Sequence, residues 1–517
     1  MNRRHFMVSA GAAMTGVLGE DGFRAAEQGL AMGATDQAAL VEIDANHVAA
    51  EFPHYWEFAV GGGHAILALR TDYHLDLQSI ANATGIGFVR FHGIFNHEVG
   101  VCTKQAEGGI QYNFQYVDQI YDSLVDLGLH PFVELSFMPP VLASGDKTVF
   151  WYRGNVTPPR SMNQWTSLIA AFARHLISRY GASAVRQWKF EVWNEPNLNF
   201  WAGTQAEYFE FYRHTAIALK SVDHQLQVGG PATAQTAWIP EFLSNCHARG
   251  APVDFVSTHI YANDPQEGVF GKQAHYPLEQ VIPRALAKVR DQVRASAQPH
   301  LPVFITEWNS TYLNDSLLND TAFNASFISH TLNQCAGLVE GMSFWCASDV
   351  FEEQGIPKEV FYGGYGMIAL RRIPKPSFHA FTLLHRLGKE RLRAGNGSLI
   401  ATRHTDGSVA LLLWNLTPRD EEGKPVAGTT VTTKLSLKGI GNRRNASIIR
   451  IDDQRGSALA AYRGMGSPRY PTLDQIHDLR RAAQLPPALP LRVSLSDPAT
   501  ISVDLPPRSV ALIELKE

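Results

Sequence analysis

Short apolar runs alternate with stretches of helical periodicity between residues 57 and 387, the pattern of βα units that assemble a parallel sheet. Eight runs can be placed: Phe58-Ala59-Val60, Phe88-Val89-Arg90-Phe91-His92, Pro131 to Leu135, Lys189 to Trp193, Leu226 to Gly229, Phe255 to His259, Val303 to Thr306 and Met342 to Trp345. Eight parallel strands close a (β/α)8 TIM barrel. Between them, Trp165 to Arg179 sets Leu168, Ile169, Phe172, Leu176 and Ile177 on one helical face, with Gly181 as its stop. A last helix from Ser377 presents Phe378, Phe381, Leu384 and His385 before Gly388. A doubly wound open sheet would need a phosphate-binding glycine turn after its first strand. Gly61-Gly62-Gly63 lacks the third glycine of GxGxxG, and no GxxxxGK[ST] occurs.

After residue 388 the runs turn strand-like, as in Val409 to Trp414 and Ser509 to Ile513, and are separated by Gly and Pro turns, which predicts an accessory C-terminal β-sandwich. Leu40 to Ile43 forms an isolated strand within residues 35–56 and is expected to pair with that sandwich. Thr472-Leu473-Asp474-Gln475 is a capping box, and Leu473, Ile476 and Leu479 give its helix an apolar stripe. The reading is therefore an α/β protein, with a barrel over 57–387 and a sandwich over 388–517.

Composition narrows the class. The 517 residues are 45% apolar and 18% charged, with a net charge of −4, which gives no electrostatic case for nucleic acid or an anionic membrane surface. From residue 388 onward, 19 basic residues face 13 acidic ones, which suggests a basic module docked on an acidic one. Cys102, Cys246, Cys335 and Cys346 have neither disulfide-scaffold nor zinc spacing and read as packing residues. At the N-terminus, Arg3-Arg4-His5-Phe6-Met7 precedes a short apolar run and resembles a twin-arginine export signal, with Asn2 in place of the usual Ser or Thr. The segment 1–34 is read as that signal, its cleavage lying either near Ala25-Ala26 or within Ala31 to Ala34. No other segment reaches 18 apolar residues, so the mature chain is expected to be soluble, and periplasmic or secreted.

In a closed barrel, chemistry sits where the strands end. The fourth run leads into Trp193-Asn194-Glu195-Pro196-Asn197 and the seventh into Thr306-Glu307-Trp308-Asn309. Two carboxylates facing one another across a barrel mouth are what glycoside hydrolysis requires. A single glutamate at a strand end is ordinarily a structural ion-pair partner. Two, each set among Trp and Asn side chains that suit a sugar's face and hydroxyls, favour catalysis. No HxH metal-ligand spacing and no GxSxG nucleophile elbow occurs, so no cofactor or metal is expected.

From about Trp56 to the C-terminus the chain resembles the clan A glycoside hydrolases, and more narrowly glycoside hydrolase family 39, the β-xylosidase and α-L-iduronidase family. The resemblance rests on the two glutamate motifs, on Arg90 to Phe95, on Ser257-Thr258-His259-Ile260-Tyr261 and on Ser348-Asp349-Val350-Phe351-Glu352-Glu353. It implies Glu195 as acid/base and Glu307 as nucleophile of a retaining mechanism, Asn194 at the sugar 2-hydroxyl and Tyr261 hydrogen-bonded to the nucleophile. It further implies that His92, His259, Tyr312, Trp345 and Glu352 wall the subsite of the cleaved sugar, with Glu353 the rival of Glu352. The expected partner is an oligosaccharide or other glycoside. A uronate site needs a cation, and Arg90, which lies inside its strand, is the candidate in these motifs; this favours xylose over iduronate. Arabinose, glucose and a non-catalytic glycan-binding barrel are the alternatives. Replacing both Arg3 and Arg4 with Lys should strand precursor in the cytoplasm, and unchanged periplasmic yield in a fractionation assay would reject the export reading.

Overall fold

The computed structural model describes residues 39–272, 274–395, 397–418 and 426–517, so the expected signal over 1–34 lies outside the described residues. Eight strands close a barrel in which all neighbours run parallel: β1 Ala59–His64, β2 Phe88–His92, β3 His130–Glu134, β4 Lys189–Glu191, β5 Gln227–Thr233, β6 Phe255–Tyr261, β7 Val303–Asn309 and β8 Gly341–Phe344. The last of these pairs back onto β1 through Ser343 and Phe344. The Trp165 face belongs to a helix, Met162–Tyr180, that buries Trp165, Leu168, Ile169, Phe172 and Leu176 and ends at Gly181, whose φ of 82° suits glycine.

One end of the barrel is plugged. Phe132, Phe255 and Phe304 are buried there, with Phe58 and Phe88 packed against them, and Phe58 stacks on Phe304 with ring centroids 4.5 Å apart. These residues lie at the strand beginnings, so only the opposite mouth is left for chemistry. The Gly61-Gly62-Gly63 run is a packing device. A Cβ on Gly61 would lie 2.2 Å from the Trp345 ring and one on Gly62 2.3 Å from Phe91.

The C-terminal strands are β9 Glu390–Ala394, β10 Leu399–Arg403, β11 Val409–Asn415, β12 Val431–Lys438, β13 Asn445–Ile451, β14 Leu489–Leu491, β15 Ala499–Leu505 and β16 Ser509–Lys516. With the N-terminal strand Ala39–Glu51 they form one continuous nine-stranded sheet, in the order β14-β13-β16-β11-β10-β9, the N-terminal strand, β12-β15. The N-terminal strand runs antiparallel to β9 and parallel to β12. Alternation decides what each face does. Leu411, Leu413, Ile513 and Leu515 share one core with Leu435, Leu437, Ile501 and Val503, so the sheet is folded over itself. The intervening Ala410, Leu412, Trp414, Val510 and Leu512 pack into the barrel's core. Both faces of β11 are therefore buried, which is why Val409 to Trp414 is apolar throughout.

Three expectations need correction. The junction between barrel and sandwich is apolar rather than basic on acidic, and an ion pair across it has the opposite sense, with Arg386 on the barrel side and Glu514 on the sandwich. His385 does not join the apolar face of its helix, Pro376–His385, but turns outward to Glu57. Leu473 is 80% exposed although its capping box forms. In an α-helix it sits at the margin of the stripe that Ile476, Leu479 and Ala483 bury. That stripe packs with Val360, Phe361, Ala369 and Ile373, so the helical insertion of the sandwich braces the chain that follows β8.

Candidate active site

Glu307 is the fifth residue of β7, and Glu195 follows β4 by four residues; both are fully buried. The backbone of the β4 loop is strained at the residues that aim Glu195. Trp193 and Glu195 take φ of 76° and 43°, a region costly for side-chain-bearing residues. Two contacts hold the turn: the Glu195 N–H donates to Ala232 carbonyl at 2.8 Å, and Trp193 Nε1 donates to Phe200 carbonyl at 2.6 Å.

The two carboxylates meet at His259. Its Nδ1 lies 3.1 Å from Glu195 Oε1 and 3.7 Å from Glu307 Oε1, and a carboxylate oxygen of each glutamate lies within 4.8 Å of the other. Glu307 is fixed from both sides, because Arg90 donates to its Oε1 at 3.0 Å and the Tyr261 hydroxyl to its Oε2 at 2.9 Å. His92 Nε2 stands 3.5 Å from Glu307 Oε1 and 3.5 Å from Glu353 Oε1. Asn194 accepts from Arg90 at its Oδ1 (3.0 Å), which aims its buried amide nitrogen away from that contact; among the described residues that nitrogen has no partner. Trp345, Tyr261, Phe351 and Tyr365 form an aromatic wall with Tyr312 packed against it, and the Asn309 side chain donates to the Trp345 carbonyl at 2.7 Å.

Eight of the nine sequence-derived positions converge here. The exception is Glu352, whose carboxylate accepts from Arg70 at 2.9 Å at the rim. Glu353 is the one that is buried and faces His92. The Ser348 to Glu353 segment cannot point both carboxylates the same way, and Arg70 draws the first of them outward. Its anchor is Lys375, fully buried between Asp320 and Asp349 at 2.6 and 2.5 Å. Burial pushes Asp349 up to about 7 against the opposing charge of Lys375.

Sequence reasoning missed the group beneath the glutamates. Arg90, fully buried, also donates to Glu191 at 2.6 Å and lies 2.8 Å from Glu134. Glu134 in turn meets His92 Nδ1 at 2.7 Å, and Glu191 accepts from Thr306 at 2.7 Å. A signal was available, because alternation along β2 puts Arg90 and His92 on the same, inward face. Burial alone would lower the basicity of Arg90, but Glu134, Glu191 and Glu307 outweigh it and raise its pKa. Burial also lifts Glu134 to about 7, with Arg90 pulling the other way.

Two carboxylates converging on one point, over a fixed cation and beside an aromatic wall, form a site for cleaving glycosidic bonds. The sequence profile of Glycosyl hydrolases family 39 matches residues 39–494. The chain belongs to glycoside hydrolase family 39. It is 40% identical over 483 residues to a Beta-xylosidase of Geobacillus stearothermophilus, covering 90% of this chain and 94% of that one. It is also 40% identical over 448 residues to a Beta-xylosidase of Caldicellulosiruptor saccharolyticus, covering 83% and 88%. Among solved structures it is similar to a monomeric beta-xylosidase from Caulobacter crescentus CB15, with a TM-score of 0.84 and 34% identity over 93% of this chain and 99% of that one. This family member is thus a glycoside hydrolase acting on a glycoside substrate.

The raised Glu134 generates a pH test. Between about pH 4.5 and 7 the folded chain holds a proton there that the unfolded chain has released, so this group's contribution to stability falls as pH rises through that window. The loss should be up to about 3 kcal/mol and absent in Glu134→Gln. Urea unfolding of both proteins at pH 5 and 7.5 checks this; parallel pH dependence would reject it.

Proposed function

We propose that this chain is a retaining exo-β-xylosidase, acting outside the cytoplasm, that releases xylose from β-xylosides and short xylo-oligosaccharides. The observation that carries the mechanism is that a carboxylate oxygen of Glu195 and one of Glu307 lie within 4.8 Å of each other. That suits the separation of about 5 to 5.5 Å in retaining enzymes better than the roughly 6.5–9.5 Å that admits a water in inverting ones. Glu307, held by Arg90 and Tyr261, attacks the anomeric carbon as a carboxylate. The bond to the leaving oxygen breaks and Glu195 gives that oxygen its proton. Water then displaces Glu307 from the sugar while Glu195 takes the water's proton. The unpartnered amide nitrogen of Asn194 is the donor available for the 2-hydroxyl.

Xylose is favoured by the two named β-xylosidases and by the state of Arg90. Its guanidinium is committed to Glu191, Glu307, Glu134 and Asn194 and is not available to a uronate. Full burial of both glutamates favours insertion of a chain end over passage of a continuous chain.

Aryl β-xyloside should be cleaved faster than aryl α-arabinoside, β-glucoside or α-iduronide, and EDTA should leave turnover in place. An untouched β-xyloside beside another cleaved substrate would overturn the assignment.

The roles of the two carboxylates separate under substitution. Glu307→Ala should stop every substrate. Glu195→Ala should retain much of its first step with a dinitrophenyl glycoside, whose leaving group needs no proton, and azide should restore turnover to give the retained β-glycosyl azide. An azide product of inverted configuration, or azide rescue of Glu307→Ala alone, would reject these roles.

A further inference from the structure

A second convergence of ligand-type side chains lies at the opposite end of the barrel. His54 and Glu57 precede β1, and His385 ends the last barrel helix. Both imidazoles point Nδ1 at the same carboxylate oxygen, Glu57 Oε1, at 2.7 Å from His54 and 2.8 Å from His385. The three donor atoms lie within 4.8 Å of one another. Each ring is held. His54 is 5% exposed and stacks on Trp56 with centroids 4.6 Å apart. His385 lies over Gly85, where a Cβ would come 2.4 Å from its Nδ1, so glycine alone leaves room for the ring.

The hydrogen-bond pattern of His54 is compatible with a bound cation. Its other nitrogen, Nε2, faces the Gly388 carbonyl at 3.4 Å, so the ring sits between two acceptors. A neutral imidazole carries one N–H and can serve only one of them. An imidazolium would serve both acceptors; a metal ion does so equally, because with the proton on Nε2 toward the carbonyl, the Nδ1 lone pair and the Glu57 carboxylate oxygen both face the point that a cation would occupy. A backbone carbonyl on the far nitrogen is also the usual second partner of a metal-bound histidine. Two imidazole nitrogens and one carboxylate oxygen are a recognised zinc donor set, with the fourth position left to water. Donors around a tetrahedral zinc stand about 3.3 Å apart, so the two contacts to Glu57 would open by about half an ångström. His385, exposed at 45%, leaves a path from solvent.

We propose that His54, Glu57 and His385 form a structural site for Zn2+, or a divalent ion of similar preference, separate from the catalytic centre. It would join the segment entering β1, the last barrel helix and, through Gly388, the first residues of the sandwich. The neighbouring contact of the Phe52 N–H with the Lys389 carbonyl at 2.7 Å marks the same seam.

The test uses the full chain freed of metal with a chelator and then titrated with Zn2+ alone. The wild type should take up one tight equivalent and its melting temperature should rise by several degrees. His385→Ala, a change at a half-exposed helix end, should bind Zn2+ at least tenfold more weakly, lose the thermal shift and keep its turnover of aryl glycoside. A second reading needs no variant: Zn2+ should protect His385 of the wild type from diethyl pyrocarbonate, scored by peptide mass spectrometry. The absence of tight uptake by the wild type would overturn the proposal and leave a hydrogen-bonded triad. Equal uptake by His385→Ala, or equal labelling of His385 with and without Zn2+, would overturn it too, placing any bound ion elsewhere.

Discussion

The guanidinium of Arg90 is the constraint on which the site depends. It reaches from β2 to Glu134 on β3, Glu191 and Asn194 at β4 and Glu307 on β7, so four strands are registered by one side chain. Such a cation cannot be buried without partners, and three carboxylates cannot be buried together without a cation. Removing one member of a buried ion cluster costs about 3–5 kcal/mol, because the survivors are left uncompensated. The position of Glu307 is therefore set by the same balance that keeps the barrel interior stable. The Tyr261 hydroxyl then holds the other oxygen of Glu307.

The sandwich supports the site indirectly. Its inserted helix, Leu473–Ala482, covers Val360, Phe361 and Ile373, which belong to the long chain after β8. That chain carries Asp349, clamped by Lys375, and two residues beyond Phe351 it delivers Glu353 to His92. The accessory module thus acts as a backing plate for one wall of the barrel mouth.

Much of this was legible in the sequence. The eight apolar runs marked the strands because a barrel strand is buried on both faces, and Trp-Asn-Glu after one run and Thr-Glu-Trp after another marked the mouth. Less legible were choices that depend on partners distant in the chain. Glu352 and Glu353 are adjacent and identical in type, and their fates are separated by Arg70, 282 positions from Glu352, and by His92 beside Glu353. Arg90 read as a strand residue because its partners are spread over residues 134 to 307. The outward turn of His385 follows from Glu57, 328 positions away. Charge balance misled at the module junction for another reason: it averages over a whole surface, whereas docking is decided by the one face that β11 and β16 present.

The N-terminal strand has a consequence for how this protein can be divided. It lies inside the nine-stranded sheet, between β9 and β12, although nearly the whole barrel separates it from them in sequence. As the chain leaves the ribosome, this strand must wait for more than three hundred residues before its neighbours exist. Cutting the gene at the barrel's end would produce one fragment with an orphaned strand and another with a slot in its sheet. Barrel and sandwich are therefore closed into a loop by the chain itself, and exchanging the accessory module means changing the chain on both sides of the barrel.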